Sequence, residues 1–264
     1  MPSPNDPERS RRWTHAERPR YWWHRLPGMD FVPPIYSDLA DDEWEIIRSW
    51  YDETDRSGII GECAVPLISL LQGLVLGNRI TRIVQLGTCS GYSSLLLGFM
   101  LRRMGATRGL FTVDVNPELC ALTERWLARA GLADHVTVSL GNSLERNCLT
   151  AAGAHFGGAD FELVILDSSH EYAATVAELE LWYPALEPGG LFLLHDVSEF
   201  AVGFDVTAEG GVRRALAEWR RKNPEAEALS LNGESRTMSL PRPLYKDACG
   251  VGIIHKPGIP TPRP

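Results

Sequence analysis

A glycine-rich turn between a short apolar segment and a longer helical pattern constrains the fold more than any other feature of the sequence. Residues 83–86 form an apolar run that predicts a buried strand, and the apolar pattern over 95–101 predicts a helix packed on it. Gly87 and Gly91 occupy the turn between them. A strand that ends at glycine and opens a helix gathers backbone N–H groups and the positive helix end at one place, which suits a nucleotide or a carboxylate. Because such a turn can also serve only tight packing, the neighbouring segments must decide its role.

The segment after this helix favours nucleoside binding. Residues 110–113 predict a second strand, which ends at Asp114 and leads into a helix start at Asn116-Pro117. An acidic side chain at this strand tip is placed to accept hydrogen bonds from two ribose hydroxyls. Capping of the next helix is the simpler interpretation of Asp114. Taken with the glycine turn, the acid favours a nucleoside cofactor.

Three more apolar runs extend the same arrangement to five strands. They cover residues 136–140, 163–166 and 191–194, and helical patterns separate all five strands. This alternation predicts a parallel sheet with helices on both faces, whose ligands bind beyond the carboxyl ends of the strands. The residues at those ends are Gly87, Asp114, Asn142, Asp167 and Asp196.

Two last strand patterns, at 228–231 and 251–255, have no helix between them and predict an antiparallel hairpin on the sheet edge. Helical patterns also precede the first strand. The predicted fold class is therefore α/β: a Rossmann-like, doubly wound, mostly parallel seven-stranded sheet with an antiparallel C-terminal hairpin and an N-terminal helical extension.

Composition and charge exclude several classes of protein. The 264 residues carry a formal net charge of -8, which argues against a broad basic surface for nucleic acid. No stretch is apolar for long enough to cross a bilayer, and the N-terminus lacks the apolar core of a secretory signal. The five cysteines form no Cys-x-x-Cys pair and are expected as reduced thiols. We therefore expect a cytoplasmic protein that binds neither nucleic acid nor membrane.

From about Glu62 to Lys256 the chain resembles the class I S-adenosylmethionine-dependent methyltransferases, and within them the small-molecule O-methyltransferases. The likeness rests on three segments: Gly87-Thr88-Cys89-Ser90-Gly91-Tyr92-Ser93, Thr112-Val113-Asp114-Val115-Asn116-Pro117-Glu118 and Leu186-Glu187-Pro188-Gly189-Gly190. The resemblance implies methyl transfer from S-adenosylmethionine to a hydroxyl of a small molecule, such as a natural product, a phenol or a sugar. We divide the chain accordingly into an N-terminal extension (1–60, a partly disordered aromatic arm and a helix), the S-adenosylmethionine-binding domain (61–256) and a mobile tail (257–264).

The resemblance also implies the cofactor contacts. Gly87 and Gly91 let the backbone approach the methionine part, Asp114 holds the ribose, and Asn142 and Ser143 lie near the adenine. The full expected set is Gly87, Thr88, Ser90, Gly91, Tyr92, Ser93, Asp114, Val115, Asn142, Ser143 and Asp167. Two residues depart from the family pattern, since Gln85 stands where an acidic residue is usual and Cys89 replaces a frequent glycine.

The last two strand ends predict the reacting centre. Asp167 and Asp196 end adjacent strands, so their carboxylates can meet and bind Mg²⁺, which would lower the pKa of a coordinated hydroxyl; the resemblance implies metal-binding acids at the same ends. His195 falls where related enzymes have a third acidic ligand, and a histidine suits Mn²⁺, Fe²⁺ or Zn²⁺ better. The predicted metal ligands are thus Asp167, His195 and Asp196, for Mg²⁺ or another divalent cation.

His170 is the predicted general base, acting with Asp167, because the ordinary pKa of histidine lies near working pH. Helix capping without any metal is the simpler interpretation of His170, Asp167 and Asp196. Two alternatives stay open: a metal-independent methyltransferase that relies on His170, and a catalytically silent cofactor-binding scaffold protein. A nicotinamide dehydrogenase is disfavoured because the turn lacks the Gly-x-Gly-x-x-Gly spacing. The aromatic N-terminal segment favours a homodimer, and Phe200 and Phe204 suggest a partly apolar acceptor pocket.

Overall fold

The computed structural model describes residues 31–233 and 244–258. The aromatic arm expected over residues 1–30 and the end of the expected tail, from residue 259, lie outside the described residues. In the described ranges no helix is long and apolar enough to cross a membrane.

A seven-stranded sheet forms the centre of the described chain. Its strands are β1 (Ile83–Leu86), β2 (Leu110–Asp114), β3 (Val136–Leu140), β4 (Phe161–Leu166), β5 (Leu186–His195), β6 (Glu227–Leu231) and β7 (Val251–His255). Their order across the sheet is β3-β2-β1-β4-β5-β7-β6. The first five strands pair in parallel, whereas β7 lies antiparallel to both β5 and β6. The predicted fold class is confirmed.

Helices cover both faces of this sheet. They are α1 (Pro34–Ser37), α2 (Asp41–Ser57), α3 (Val65–Asn78), α4 (Tyr92–Met104), α5 (Pro117–Arg129), α6 (Arg146–His155), α7 (Tyr172–Trp182) and α8 (Gly211–Lys222), with short 3-10 turns at Tyr183–Ala185 and Ala201–Phe204. Two hydrophobic cores result, one around Trp50 and Leu96 and the other around Trp182 and Phe192. The sheet is therefore buried on both faces, as its nearly continuous apolar strands require.

Local signals set several helix ends. Asn116 Oδ1 accepts hydrogen bonds from the backbone N–H groups of Glu118 (2.9 Å) and Leu119 (3.2 Å), and Pro117 takes the first helical position, so that α5 begins there. Gly58, with a φ of 68°, ends α2 in the left-handed conformation that glycine adopts without steric cost. The loop between β2 and α5 is thereby held short.

The start of β5 differs from the prediction. The sequence pattern places this strand at 191–194, after a helix that extends towards Leu186, whereas β5 begins at Leu186 and α7 ends at Trp182. The N–H of Gly189 donates to the Lys256 carbonyl (2.9 Å), and the N–H of Lys256 donates to the Gly190 carbonyl (3.0 Å). Pairing with the chain after β7 therefore outweighs the low strand propensity of Pro and Gly in this segment.

Candidate active site

The carboxyl ends of β1, β2 and β4 lie side by side. Leu86 is opposite Val113 on one side and Leu166 on the other. The N–H of Gly87 donates to the Val113 carbonyl (3.0 Å), and the N–H of Asp167 donates to the Leu86 carbonyl (2.9 Å). The residues that follow these three strands consequently face one opening, as expected at the point where the strand order of a parallel sheet reverses.

A cleft of about 760 Å³ occupies this opening. Most of the residues that the sequence assigns to the site line it: Gly87, Thr88, Ser93, Asp114, Val115, Asn142, Ser143, Asp167, His170, His195 and Asp196. Three predicted cofactor residues, Ser90, Gly91 and Tyr92, lie behind this wall and are buried. The five strand ends therefore converge on a single cleft.

The buried residues behind the wall connect the glycine turn to the N-terminal helices. Trp50 Nε1 donates to the Ser90 carbonyl at 2.8 Å, and the hydroxyl of Tyr36 contacts the hydroxyl of Tyr92. Both contacts join α1 and α2 to the start of α4. Ser90 and Tyr92 thus contribute to the position of the turn rather than to the cleft surface.

Asp114 points into the cleft at the glycine turn. Its Oδ2 accepts hydrogen bonds from the N–H groups of Thr88 (3.0 Å) and Cys89 (2.8 Å), and its Oδ1 accepts one from the N–H of Asn116 (2.9 Å). An ionised carboxylate has about four acceptor positions, so Oδ1 can accept a further donor. Asp114 therefore fixes the turn and can also hold the hydroxyls of a ribose.

The glycine turn uses unusual backbone conformations and close contacts. Gly87 has a φ of +93°, and a Cβ at this position would lie 2.0 Å from the Asp167 carbonyl oxygen, so only glycine fits. Cys89 adopts a φ of 48°, in the left-handed region that favours glycine. The family's frequent glycine at this position thus has a conformational reason, and Cys89 takes up the same conformation.

Gln85 replaces the usual acid by donating hydrogen bonds. Its Nε2 donates to the Gly87 carbonyl (2.7 Å) and contacts Ser93 Oγ (2.9 Å). A carboxylate could not donate to the Gly87 carbonyl. The amide therefore connects both sides of the turn, and this departure from the family pattern is compatible with an intact turn.

A buried acid connects two of the loops that line the cleft. Ser143 Oγ donates to Glu178 Oε1 (2.5 Å), and Ser168 Oγ donates to Glu178 Oε2 (2.8 Å). Burial raises the pKa of Glu178, although the two serine hydrogen bonds oppose the shift. This contact joins the loops after β3 and β4. Sequence reasoning missed Glu178, because an acid within a helix carries no signal of its own.

Two exposed apolar side chains line the cleft after β2 and β3. They are Val115, which is 65% exposed, and Leu144, which is 42% exposed. Asn142 lies two residues before Leu144, and its Oδ1 accepts a hydrogen bond from the N–H of Leu144 (3.0 Å). An open apolar wall next to a polar loop suits a flat aromatic base.

His170 and Asp196 form the closest polar pair of the cleft. His170 Nδ1 lies 2.6 Å from Asp196 Oδ2, and the His170 side chain is 35% exposed. The hydrogen bond and charge of Asp196 raise the pKa of His170, although partial burial opposes the shift. Both residues have left-handed φ values, 63° and 62°. Such strained conformations cluster where surrounding structure imposes a functional geometry.

His195 lies deeper than His170 and faces carboxylates at both ring nitrogens. Its Nδ1 lies 3.3 Å from Asp167 Oδ1, and its Nε2 lies 3.1 Å from Asp247 Oδ2. Burial alone would lower the pKa of His195, but these carboxylates raise it well above its ordinary value. The same contact lowers the pKa of Asp167 against the effect of burial. Sequence reasoning missed Asp247; the Asp-x-Cys pattern before β7 could have pointed to it.

The donor set fits a divalent cation. Asp167, His170 and Asp196 can each offer a ligand atom, and these atoms lie within 4.8 Å of one another. His195 Nδ1 lies 3.6 Å from Asp196 Oδ2 on the same side. Carboxylate oxygens combined with imidazole nitrogens suit Mn²⁺, Fe²⁺ or Zn²⁺, and the carboxylates also suit Mg²⁺.

Comparisons with known proteins show which folds the chain resembles. Residues 84–197 match a family model described as a methyltransferase domain. An O-methyltransferase from Bacillus cereus, solved in complex with S-adenosylhomocysteine, is 18% identical and has a TM-score of 0.63, with 83% of this chain and 94% of that chain covered. No curated protein sequence matches the chain.

Two further solved structures have similar folds. The O-methyltransferase TomG from Streptomyces achromogenes, in complex with S-adenosylmethionine, is 21% identical with a TM-score of 0.59, over 83% of this chain and 92% of that chain. The S-adenosylhomocysteine-bound methyltransferase PaMTH1 from Podospora anserina is 17% identical with a TM-score of 0.57, over 96% of this chain and 97% of that chain. The resemblance stated from the sequence is confirmed for the fold, and residues 84–197 are similar to a methyltransferase domain.

Proposed function

We propose that this chain, whose residues 84–197 match a methyltransferase-domain model and whose fold resembles that of a solved O-methyltransferase, transfers a methyl group from S-adenosylmethionine to a hydroxyl group of a small molecule. One observation carries this proposal: the cleft joins the glycine turn and Asp114 at one end to the pair of His170 and Asp196 at the other. A donor and an acceptor bound in the same cleft can therefore meet over the ends of β1 and β4.

The glycine turn and Asp114 would bind the cofactor. Gly87 has no side chain, and a Cβ there would lie 2.0 Å from the Asp167 carbonyl oxygen, so the methionine part can contact the backbone at this position. Asp114 would accept hydrogen bonds from the ribose hydroxyls, and the apolar wall of Val115 and Leu144 would pack against the adenine. When bound, S-adenosylmethionine supplies an activated methyl carbon on a sulfonium.

The pair of His170 and Asp196 would prepare the acceptor. Methyl transfer to oxygen is an in-line displacement that needs an oriented, deprotonated hydroxyl. His170 would accept the hydroxyl proton, while Asp196 holds the imidazole ring and stabilises its protonated form through the 2.6 Å contact. Phe204, which is 41% exposed and lies with its ring centroid 5.9 Å from that of His170, would pack against an apolar acceptor, which favours a phenol or another natural product.

Assistance by a divalent cation is part of the proposal. Asp167 and Asp196 would hold the ion, with an imidazole nitrogen of His195 or His170 as third ligand. A bound divalent cation lowers the pKa of a coordinated hydroxyl and fixes its direction. The 2.6 Å contact between His170 and Asp196 favours a second candidate, in which His170 acts as base without a metal.

Cofactor binding and metal dependence separate these candidates. Isothermal titration with S-adenosylhomocysteine tests the cofactor site, and transfer from labelled S-adenosylmethionine to a panel of phenols and sugars tests the reaction. The metal-assisted enzyme should lose transfer with EDTA and regain it with Mg²⁺ or Mn²⁺. If Asp167→Ala and Asp196→Ala keep full transfer without divalent ions, the cation is not needed. Binding without transfer to any acceptor would favour the silent scaffold protein.

A further inference from the structure

A second group of possible metal ligands lies beyond the end of β5. In the antiparallel pairing of β5 and β7, His195 is opposite Val251. The turn that precedes β7 therefore lies over the end of β5 and brings Asp247 and Cys249 to His195. One ligand atom from each of these three residues lies within 4.8 Å of the others.

The spacing and burial of this group suit a bound ion. His195 Nε2 and Asp247 Oδ2 are 3.1 Å apart, close to the separation of about 3.3 Å between two ligands that each lie about 2.0 Å from a tetrahedral zinc ion. His195 is 9% exposed and Asp247 is 2% exposed. Buried ionisable groups are paired with one another or coordinate metals.

Hydrogen bonds to and within the group orient its ligands. His195 Nδ1 lies 3.3 Å from Asp167 Oδ1; with the ring proton on Nδ1, the lone pair of Nε2 faces Asp247. A carboxylate that accepts from the second nitrogen of a ligating histidine is the usual partner in zinc sites. The N–H of Cys249 donates to Asp247 Oδ1 (3.0 Å), and Asn232 Nδ2 donates to the Asp247 carbonyl (2.7 Å). These hydrogen bonds hold the turn in place over His195.

We propose that His195 Nε2, a carboxylate oxygen of Asp247 and the Cys249 thiolate bind a zinc ion. A thiolate with an imidazole selects Zn²⁺ over Mg²⁺. Cys249 and His195 also line the cleft, so the fourth position of a tetrahedral ion can take water or an acceptor atom, as in zinc sites that are open to substrate. The inference does not rest on methyl transfer, because its test uses neither cofactor nor acceptor.

Metal content and cobalt absorption test the proposal. The full chain, purified without a metal-chelating tag, is loaded with Zn²⁺, dialysed and assayed by mass spectrometry for bound zinc; Co²⁺ is then substituted for it. We expect a stoichiometric amount of zinc and a thiolate-to-cobalt charge-transfer band in the near ultraviolet. Loss of an outer partner of a metal ligand costs about 10- to 100-fold in affinity, so Cys249→Ser and Asp247→Asn, which each change a ligand, should weaken Zn²⁺ binding by more than about 100-fold.

Matched variants distinguish this site from others. Cys148, a buried thiol of α6, provides the control: Cys148→Ser should keep both the zinc and the cobalt band. His170→Gln alters the neighbouring group and should keep the band as well. The proposal is overturned if the wild-type protein retains no zinc, or if its cobalt complex lacks the thiolate band. It is equally overturned if Cys249→Ser binds Zn²⁺ as tightly as wild type.

Discussion

His170 Nδ1 and Asp196 Oδ2 lie 2.6 Å apart in the cleft, between residues that follow two adjacent strands. This contact occupies one nitrogen of the ring and leaves Nε2 as the nitrogen that can take a proton. The relationship gives His170 a fixed tautomer in its neutral form, with the proton on Nδ1. It therefore links the position of a carboxylate to the pH at which the imidazole can act as a base.

The first prediction concerns the pH dependence of transfer. Asp196 raises the pKa of His170, and the base must be neutral, so activity in wild type rises as the pH increases through this raised value. Asp196→Asn removes the charge and should move the inflection of kcat/KM to lower pH, with a lower plateau. Profiles between about pH 5 and pH 9, recorded at a constant, saturating concentration of Mg²⁺, measure the shift. Glu199→Gln, a change at an exposed acid nearby, should leave the inflection in place; an unchanged inflection in Asp196→Asn would contradict the role of His170.

The second prediction concerns the fit of Gly87. In Gly87→Ala the new methyl group would lie 2.0 Å from the Asp167 carbonyl oxygen, and this backbone atom can give way only if the end of β4 moves. We expect loss of S-adenosylhomocysteine binding and destabilisation well beyond the roughly 1–2 kcal/mol of a left-handed alanine. Gly105→Ala is the matched control, since Gly105 has a φ of +67° and no atom within 4 Å of the added Cβ. Urea unfolding and calorimetry measure both effects, and equal losses in the two variants would show that the contact with Asp167 is unimportant.

The third prediction concerns Asp114. Asp114→Asn keeps the shape of the side chain but removes its charge, and hydrogen bonds to charged groups contribute about 1.5–3 kcal/mol. We expect S-adenosylhomocysteine to bind roughly 10- to 150-fold more weakly, as measured by isothermal titration. Asp134→Asn changes an exposed acid away from the cleft and should bind as wild type does. Full affinity in Asp114→Asn would mean that Asp114 serves the turn alone.

The fourth prediction concerns the acceptor. Phe204→Ala removes a ring that is about half buried beside His170. We expect KM for a phenolic acceptor to rise about 3- to 13-fold, from the loss of about half the apolar burial of a phenylalanine, while S-adenosylhomocysteine affinity stays constant. Phe200, whose ring contacts Phe204 at 5.6 Å between centroids and does not line the cleft, provides the control variant Phe200→Ala. A sugar acceptor whose KM changes as much as that of the phenol would argue against an apolar pocket.

The central strands follow from the sequence because buried parallel strands are continuous apolar runs. β1, β3 and β7 have the bounds that the pattern predicts, and β2 and β4 differ by one or two residues. The boundary of β5 could not be predicted, since its first residues are extended through pairing with the chain near Lys256 rather than through their own propensity. Long-range pairing overrides local preference there.

In the candidate site, too, some residues could be predicted from local sequence and others could not. Gly87, Asp114, Asp167 and Asp196 could be identified because each lies within two residues of the end of an apolar run. The hydrogen bonds to Glu178 and the contact of Asp247 with His195 depend on packing between segments that are separate in the sequence. His195 and Asp247 are 52 positions apart, and the antiparallel pairing of β7 with β5 brings them together. The left-handed backbone at His170 and Asp196 had no signal either, since neither residue is glycine.

The hydrogen bond from Trp50 to the Ser90 carbonyl has a consequence for protein engineering. A fragment cut to residues 84–197 would leave that carbonyl without its indole donor, and it would deprive β5 of its antiparallel neighbour. The smallest fragment that keeps these contacts is therefore longer than residues 84–197, which match the family model. Redesign of acceptor preference should proceed by point changes at the strand ends, because a graft of that stretch would separate the turn from the helix on which it rests.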